Sequence, residues 1–367
     1  MLNRLKFRVK LALLACAFLA SSYTFAHSLI EDRPDFAKKF SAPNASEASK
    51  SLKIFWWNIE KGLTNAQAGD DALNKNLVTL ATMPRDQAPD VIALGEFEYD
   101  PMNSKTLRAL RANYTEIFLP YSVFTADFGM ALYVRKDLEV ETFPLRELEW
   151  APTPEYRQKW INMDYEAQLF DRYYVRVRVG RPGYSKVNIV PVHLLQPWSM
   201  LKKNLEGIYG NDRLGRLRAF FETAAAVLLE KDNPLVRQAQ SLSKYLDADF
   251  GKNRDREPVV MLGDFNVPQG VGPVTTRGYE VLIQGLKAAF KDTTPTFPAK
   301  SAAISKEVRK IHLDHAFVSS LIKKTHAMVL YLKGSDHYPI MVSVEPKPDA
   351  LSMCRYEELL TSKHPSF

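Results

Sequence analysis

Asp264 and Asn266 raise the first chemical question in this chain. They close Val259-Val260-Met261-Leu262-Gly263-Asp264-Phe265-Asn266, an apolar run broken by glycine. A carboxylate at the end of such a run is costly to desolvate unless it meets a cation, a proton or a donor. Strand alternation would put Asp264 and Asn266 on one side and Phe265 on the other. The plainer alternative is a strand that runs into an Asx-turn. Other apolar runs also end in polar groups: Asn58 after 52–57, Glu96 after 90–95, and His193 after 186–192. Asp314 lies inside 310–318, and the pair Asp336-His337 sits in the loop 334–338. Carboxylates and an amide are hard oxygen ligands for a divalent cation, and imidazole titrates near neutrality. The set can hold an ion and move protons.

The elements that must bring these groups together follow from apolar patterning. Near-continuous apolar runs at 52–59, 90–95 and 259–266 predict strands covered on both faces. Further strands are expected at 121–124, 129–135, 139–143, 173–179, 186–194, 310–318 and 339–344. In 173–179 arginine alternates with valine, which predicts one core face and one solvent face; Pro182-Gly183 turns the chain into an antiparallel partner at 186–194. Helical spacing covers 66–83, 106–113, 212–230, 234–247 and 279–289, with Pro234 in a first turn. Residues 293–298 read as an extended, proline-bounded loop. Several strand connections are too short for a parallel crossover, so the sheets should be mixed or mostly antiparallel.

Residues 1–26 read as a secretory signal: Arg4, Lys6, Arg8 and Lys10, then an apolar stretch, then Thr24-Phe25-Ala26. Leu13-Leu14-Ala15-Cys16 resembles a lipidation box but lies too close to Lys10. Export to periplasm or medium is the expectation. The formal charge is +7, and removing the four basic residues of the leader leaves +3. That permits a polyanionic substrate without arguing for one. Once Cys16 is gone Cys354 is the only thiol, so no internal disulfide can form. Residues 27–50 read as a linker, 51–347 as one catalytic domain, and 348–367 as a polar tail.

The ordered blocks Trp57-Asn58-Ile59, Gly95-Glu96, Val192-His193-Leu194, Gly263-Asp264-Phe265-Asn266, Leu313-Asp314-His315-Ala316-Phe317-Val318-Ser319 and Ser335-Asp336-His337-Tyr338-Pro339-Ile340 resemble the endonuclease/exonuclease/phosphatase superfamily. The resemblance implies an α/β fold, a four-layer sandwich of two packed sheets flanked by helices. It also implies phosphoester hydrolysis with Mg²⁺, for which Mn²⁺ could substitute. A phosphodiester transition state gathers charge on oxygen, so it needs a cation, a base for water and donors for the oxygens. On this likeness Glu96, Asn58 and Asp336 hold the metal. His337, paired with Asp314, handles protons or binds phosphate, and Asp264 orients or deprotonates the attacking water. Asn266 and His193 bind substrate, and His193 could also serve as the acid for the leaving oxygen. Pancreatic-type DNases of the family carry a supporting glutamate before the strand 130–135, where this chain offers only Asp127.

Other residues have structural readings. His312 and His315 should be structural, since His315 shares its face with Leu313 and Phe317. Trp56 and Trp57 should pack the core rather than stack on bases. The insertion 198–233, with Trp198, Lys202, Lys203, Arg213, Arg216 and Arg218, is either a substrate-shaping segment or an ordinary amphipathic crossover. The expected substrate is a phosphoester, nucleic acid ahead of lipid or inositol phosphate. A third reading is a binding module that kept the fold. No obligate protein partner is evident, and a monomer is expected.

Overall fold

In the strand Leu52–Asn58 (β1), Ile54 and Trp56 turn one way and Phe55 and Trp57 the other, yet all four are fully buried. Such a strand must be covered on both faces. The computed structural model describes residues 51–59, 71–98, 105–120, 128–155, 172–195, 232–267, 270–271, 274–291, 294, 296–297 and 312–347. After β1 come α1 (Asp71–Thr82), β2 (Val91–Glu98), α2 (Lys105–Asn113), β3 (Tyr114–Pro120), β4 (Phe128–Arg135), β5 (Glu139–Thr142), β6 (Arg146–Glu147), β7 (Tyr173–Tyr174), β8 (Val177–Gly180) and β9 (Val187–His193). Then follow α3 (Pro234–Phe250), β10 (Val259–Asp264), β11 (Gly270–Val271), β12 (Val274–Thr275), α4 (Arg277–Ile283), β13 (Leu286–Ala288), β14 (Asp314–Ser319), β15 (Thr325–Val329) and β16 (Ile340–Val344).

Two six-stranded sheets result, ordered β15-β16-β1-β2-β4-β3 and β13-β14-β10-β9-β8-β5. Each is mixed: β1 runs parallel to β2, and β9 parallel to β10, among antiparallel neighbours. Ile54, Trp56, Ala93 and Val342 from one sheet meet Val177, Ile189, Val260, Leu262 and Ala316 from the other in a shared core. Outside the first sheet, Phe55, Trp57 and Ile92 pack on Leu73, Leu77 and Leu80 of α1 and Leu107 and Leu110 of α2. Outside the second, Val190, Val259 and Met261 pack on Leu235, Leu242 and Leu246 of α3 and Leu282 of α4. These are the four layers the sequence led us to expect. Asn233 caps α3 by accepting from the Val236 N–H at 2.9 Å, and Pro234 occupies the first turn as anticipated.

Several local expectations are corrected. The segment 279–289 is not one helix: α4 ends at Ile283, Gly285 takes φ +72°, and β13 pairs with β14. The run 173–179 is not one strand, because Tyr173–Tyr174 pairs with β6 while Val177–Gly180 joins β5 and β9. Arg176 is buried and does not face solvent. Its guanidinium lies 3.9 Å from the Phe143 ring centroid and 4.8 Å from that of Phe250, and it donates to Asn188 and Glu257. Stacking and paired acceptors let an arginine be covered. Strands β3 and β15 were not foreseen. The expected elements at 121–124 and 212–230 lie outside the described residues.

Candidate active site

The parallel pairs set the site. Asn58 lies level with Gly95 across β1 and β2, and Asp264 level with His193 across β9 and β10, so Asn58, His193 and Asp264, with Glu96 next to Gly95, arrive at one end of the sandwich. Gly263 makes the second alignment possible. Its φ is +150°, and a Cβ there would stand 1.8 Å from the Val192 carbonyl oxygen. In β2 the register slips between Leu94 and Phe97, and Glu96 adopts φ +50° inside this bulge. The bulge breaks the side-chain alternation of the strand at Glu96. It re-aims the Glu96 carboxylate, which stays 20% exposed among otherwise buried partners.

Asn58 joins the two sheets chemically. Its Nδ2 donates to Glu96 Oε1 and to Asp264 Oδ2, each at 3.1 Å. His193 Nε2 lies 3.6 Å from Glu96 Oε1 and 3.7 Å from Asp264 Oδ2, while His337 Nε2 lies 3.7 Å from the same Asp264 oxygen. His337 Nδ1 is 2.7 Å from Asp314 Oδ2, which fixes its tautomer. The loop carrying His337 is tied to the end of β1: Ser335 Oγ donates to the Asn58 carbonyl at 2.6 Å and accepts from the His337 N–H at 3.2 Å. Asp336 is the neighbour of that serine, 3.2 Å from its hydroxyl.

Asn266 reconciles both readings of its segment. Its N–H donates to Asp264 Oδ1 at 2.8 Å, an Asx-turn, and its φ of +51° explains why the strand stops at Asp264. Its amide donates to the Leu194 carbonyl at 3.0 Å, which leaves one amide hydrogen for a substrate oxygen. Phe265 turns away into the outer core as expected.

The electrostatics are those of a desolvated acid cluster. Burial, with Asp314 adding to it, pushes the Asp264 carboxyl up to about 7 against the pull of His337. Burial also raises Glu96, against its hydrogen bond from Asn58. Burial would raise Asp314 too, but His337 and the donors Trp56 and Thr296 hold it below the usual carboxylate range. For His337, burial opposes charge, yet Asp314, Asp264 and Asp336 outweigh it and raise the imidazole to about 10. His193 is driven well below 6.5 by burial and then by the charges of Arg172 and His337, so it is neutral.

Arg172 was not singled out in the sequence. It is buried just before β7, and its charge reaches both Glu96 and His193. It lies just before the run 173–179, and no pattern in the sequence marked it. Thr296 was missed too; its hydroxyl accepts from the Leu313 and Asp314 N–H groups at 3.0 Å each. His312 and His315 are structural as expected. The first bonds Thr294 O at 2.5 Å and the second Val267 O at 2.7 Å, and burial lowers His315 to about 3. Asp127 and nearly all of the 198–233 insertion lie outside the described residues.

Two places could take a cation. Asp264, Asp314 and His337 present ligand atoms within 4.8 Å of one another. Both Asp314 oxygens, however, are engaged, Oδ1 by Trp56 and Oδ2 by His337. The better fit is the Glu96 side, where one NH₂ group already bridges two carboxylates. Rotating the Asn58 amide would present its oxygen there and complete a hard, low-charge donor set suited to Mg²⁺.

A sequence model of the Endonuclease/Exonuclease/phosphatase family matches residues 55–337. No curated protein matches the chain. Among solved structures, the endonuclease/exonuclease/phosphatase from Bacteroides vulgatus is 15% identical over 81% of this chain and 99% of its own, with a TM-score of 0.50. The human Nocturnin catalytic domain is 14% identical over 81% and 95%, TM-score 0.49. A mannosyl-6-phosphatase from Bacteroides thetaiotaomicron is 15% identical over 80% and 99%, TM-score 0.47.

Proposed function

Because the chain belongs to the Endonuclease/Exonuclease/phosphatase family, whose members hydrolyse phosphoester bonds, we propose that it is an exported Mg²⁺-dependent phosphodiesterase acting on nucleic acid. The observation that carries the reading is the Asn58 amide held between Glu96 and Asp264, one carboxylate from each sheet. Buried acids gathered in this way call for a cation. Glu96 and Asn58, with Asp336 beside them, would hold the ion, and Mn²⁺ would serve in place of Mg²⁺. When bound, the ion neutralises charge on the phosphoryl oxygens.

The chain's own residues do the rest. Asp264, near neutral in proton affinity, orients the attacking water and takes its proton. His337, charged and held through Nδ1 by Asp314, donates from Nε2 to a phosphoryl oxygen. His193, kept neutral, serves as a hydrogen-bond donor and not as the acid for the leaving oxygen. Asn266 offers its second amide hydrogen. Arg172, whose charge reaches Glu96 and His193, supports the negative charge of the substrate.

The test is hydrolysis by the purified chain, lacking residues 1–26, with Mg²⁺ or EDTA. The substrates are plasmid DNA, RNA, sphingomyelin, a phosphoinositide and bis(p-nitrophenyl) phosphate. Chelator-sensitive nicking of plasmid is expected. Release of phosphate from an inositol lipid with plasmid left intact would reject nucleic acid as substrate, and inertness toward all five would leave a binding module. His337→Ala and Asp264→Ala should each lower turnover by about 10²- to 10⁴-fold with folding intact.

A further inference from the structure

Trp56 fills the core between the sheets, but its polar edge is aimed at the site. The residue is fully buried, and its Nε1 crosses from β1 to Asp314 Oδ1 on β14 of the facing sheet, 2.8 Å away. The other Asp314 oxygen meets His337 Nδ1 at 2.7 Å. Trp57, on the opposite face of the same strand, donates its Nε1 to the backbone carbonyl of His337 at 2.9 Å. Consecutive strand residues point apart, so this dipeptide reaches one histidine by two routes, through the ring's partner and through the main chain. The indole needs room for that reach. A Cβ on Gly95, in the neighbouring strand, would stand 2.7 Å from both Cη2 and Cζ2 of Trp56.

We propose that Trp56 is a positioning residue for the phosphoester hydrolysis, its indole N–H fixing the rotation of the Asp314 carboxylate and thereby the aim of the His337 imidazole, with Gly95 as the notch that admits the ring. The inference rests on the reading that His337 touches substrate. A carboxylate held at one oxygen keeps a soft torsion about its last bond. The Trp56 donor on the second oxygen restricts that freedom alongside Thr296, and it does so from the opposite sheet, so the two halves of the sandwich set the imidazole together. A phenyl ring in place of the indole fills most of the same space but cannot hold Asp314.

The experiment compares wild type, Trp56→Phe, Gly95→Ala and the double variant. Three quantities are read: the low-field proton resonance of His337 Nδ1, identified by its loss in His337→Gln; kcat and KM on bis(p-nitrophenyl) phosphate with Mg²⁺; and unfolding in denaturant. Trp56→Phe should fold, shift or broaden the resonance, and lower kcat by about tenfold with KM held within about twofold, the signature of a lost charge-assisted hydrogen bond acting only on the reacting geometry. Gly95→Ala should move the same resonance by displacing the indole. It should be destabilising in wild type and nearly neutral in the Trp56→Phe background, where the two ring atoms it would strike are gone. An unchanged kcat in Trp56→Phe overturns the proposal, as does Gly95→Ala having the same effect on stability in both backgrounds. If Trp56→Phe does not fold, the resonance and kcat of Gly95→Ala decide in the same sense. If wild type cleaves no phosphoester, the phosphodiesterase reading falls, and the resonance alone decides the positioning: moved supports it, unmoved overturns it.

Discussion

At the scale of single residues, burial leaves Asp264 and Glu96 more comfortable protonated than their types suggest, while His337 holds Asp314 the other way. Asp264, raised to about 7, binds a proton in the folded chain between its unfolded value near 3.8 and about 7, where the unfolded chain does not. Stability without metal therefore declines as pH rises through that window and levels above it. His337 adds stability that is full below its unfolded value of 6.5 and is lost as pH rises through about 10. A divalent ion held by Glu96 and Asn58 would oppose the first trend, because its charge would favour ionised Asp264 nearby. Thermal unfolding at pH 5 and pH 8 with and without Mg²⁺ should show a larger rise in Tm at pH 8; an equal rise would mean the ion does not displace the Asp264 proton. Much of this was legible in the sequence. Asn58, Glu96, His193, Asp264 and Asp314 each closed or interrupted an apolar run, a pattern that survives without neighbours in view, and His337 was marked by its place beside Asp336 in the loop 334–338. Arg172 and Thr296 were not legible, because each acts through a contact with a distant part of the chain.

At the scale of elements, two parallel strand pairs and one bulge do the positioning. Gly263 lets β10 lie close enough to β9 to set Asp264 beside His193. Gly263→Ala should destabilise by about 2–4 kcal/mol, measured by denaturant unfolding, because the new Cβ forces the strands apart. It should also lower turnover in proportion to the displacement of Asp264. A loss below about 0.5 kcal/mol would mean the backbone relaxes freely. The strands with continuous apolar runs, β1, β2, β9, β10, β14 and β16, were readable because burial on both faces leaves that mark. Strand β3 follows α2 with no turn residue between them, and β15 carries no alternation, so neither announced itself. Gly285 was the available signal that α4 ends and β13 begins, but the apolar spacing of 279–289 fits a helix equally well. Gly95, inside the apolar run just before Glu96, was the available mark of the bulge.

At the scale of the whole molecule, polar bridges pin the sheets together at both ends. The site end has Asn58 and Trp56. The other end has Asp90, fully buried, which takes Arg135 and Arg181 at 2.8 Å each and the Lys53 N–H at 2.8 Å, while Arg181 also donates to Ser51 O. Asp90→Asn removes a buried carboxylate shared by two arginines, of which Arg135 keeps Asp137, and should destabilise by about 3–5 kcal/mol in denaturant unfolding. Because Asp90 lies at the opposite end of β2 from Glu96, kcat should stay within about twofold. The most direct test of the central claim, that Glu96 and Asn58 at the ends of β2 and β1 hold a divalent cation beside Asp264 of the facing sheet, is a crystal structure of the chain soaked in Mn²⁺ with anomalous data. We expect a peak against the Glu96 carboxylate and the Asn58 amide that is absent in Glu96→Gln. A peak lodged between Asp314 and His337, or none at this end of the sandwich, would contradict the account.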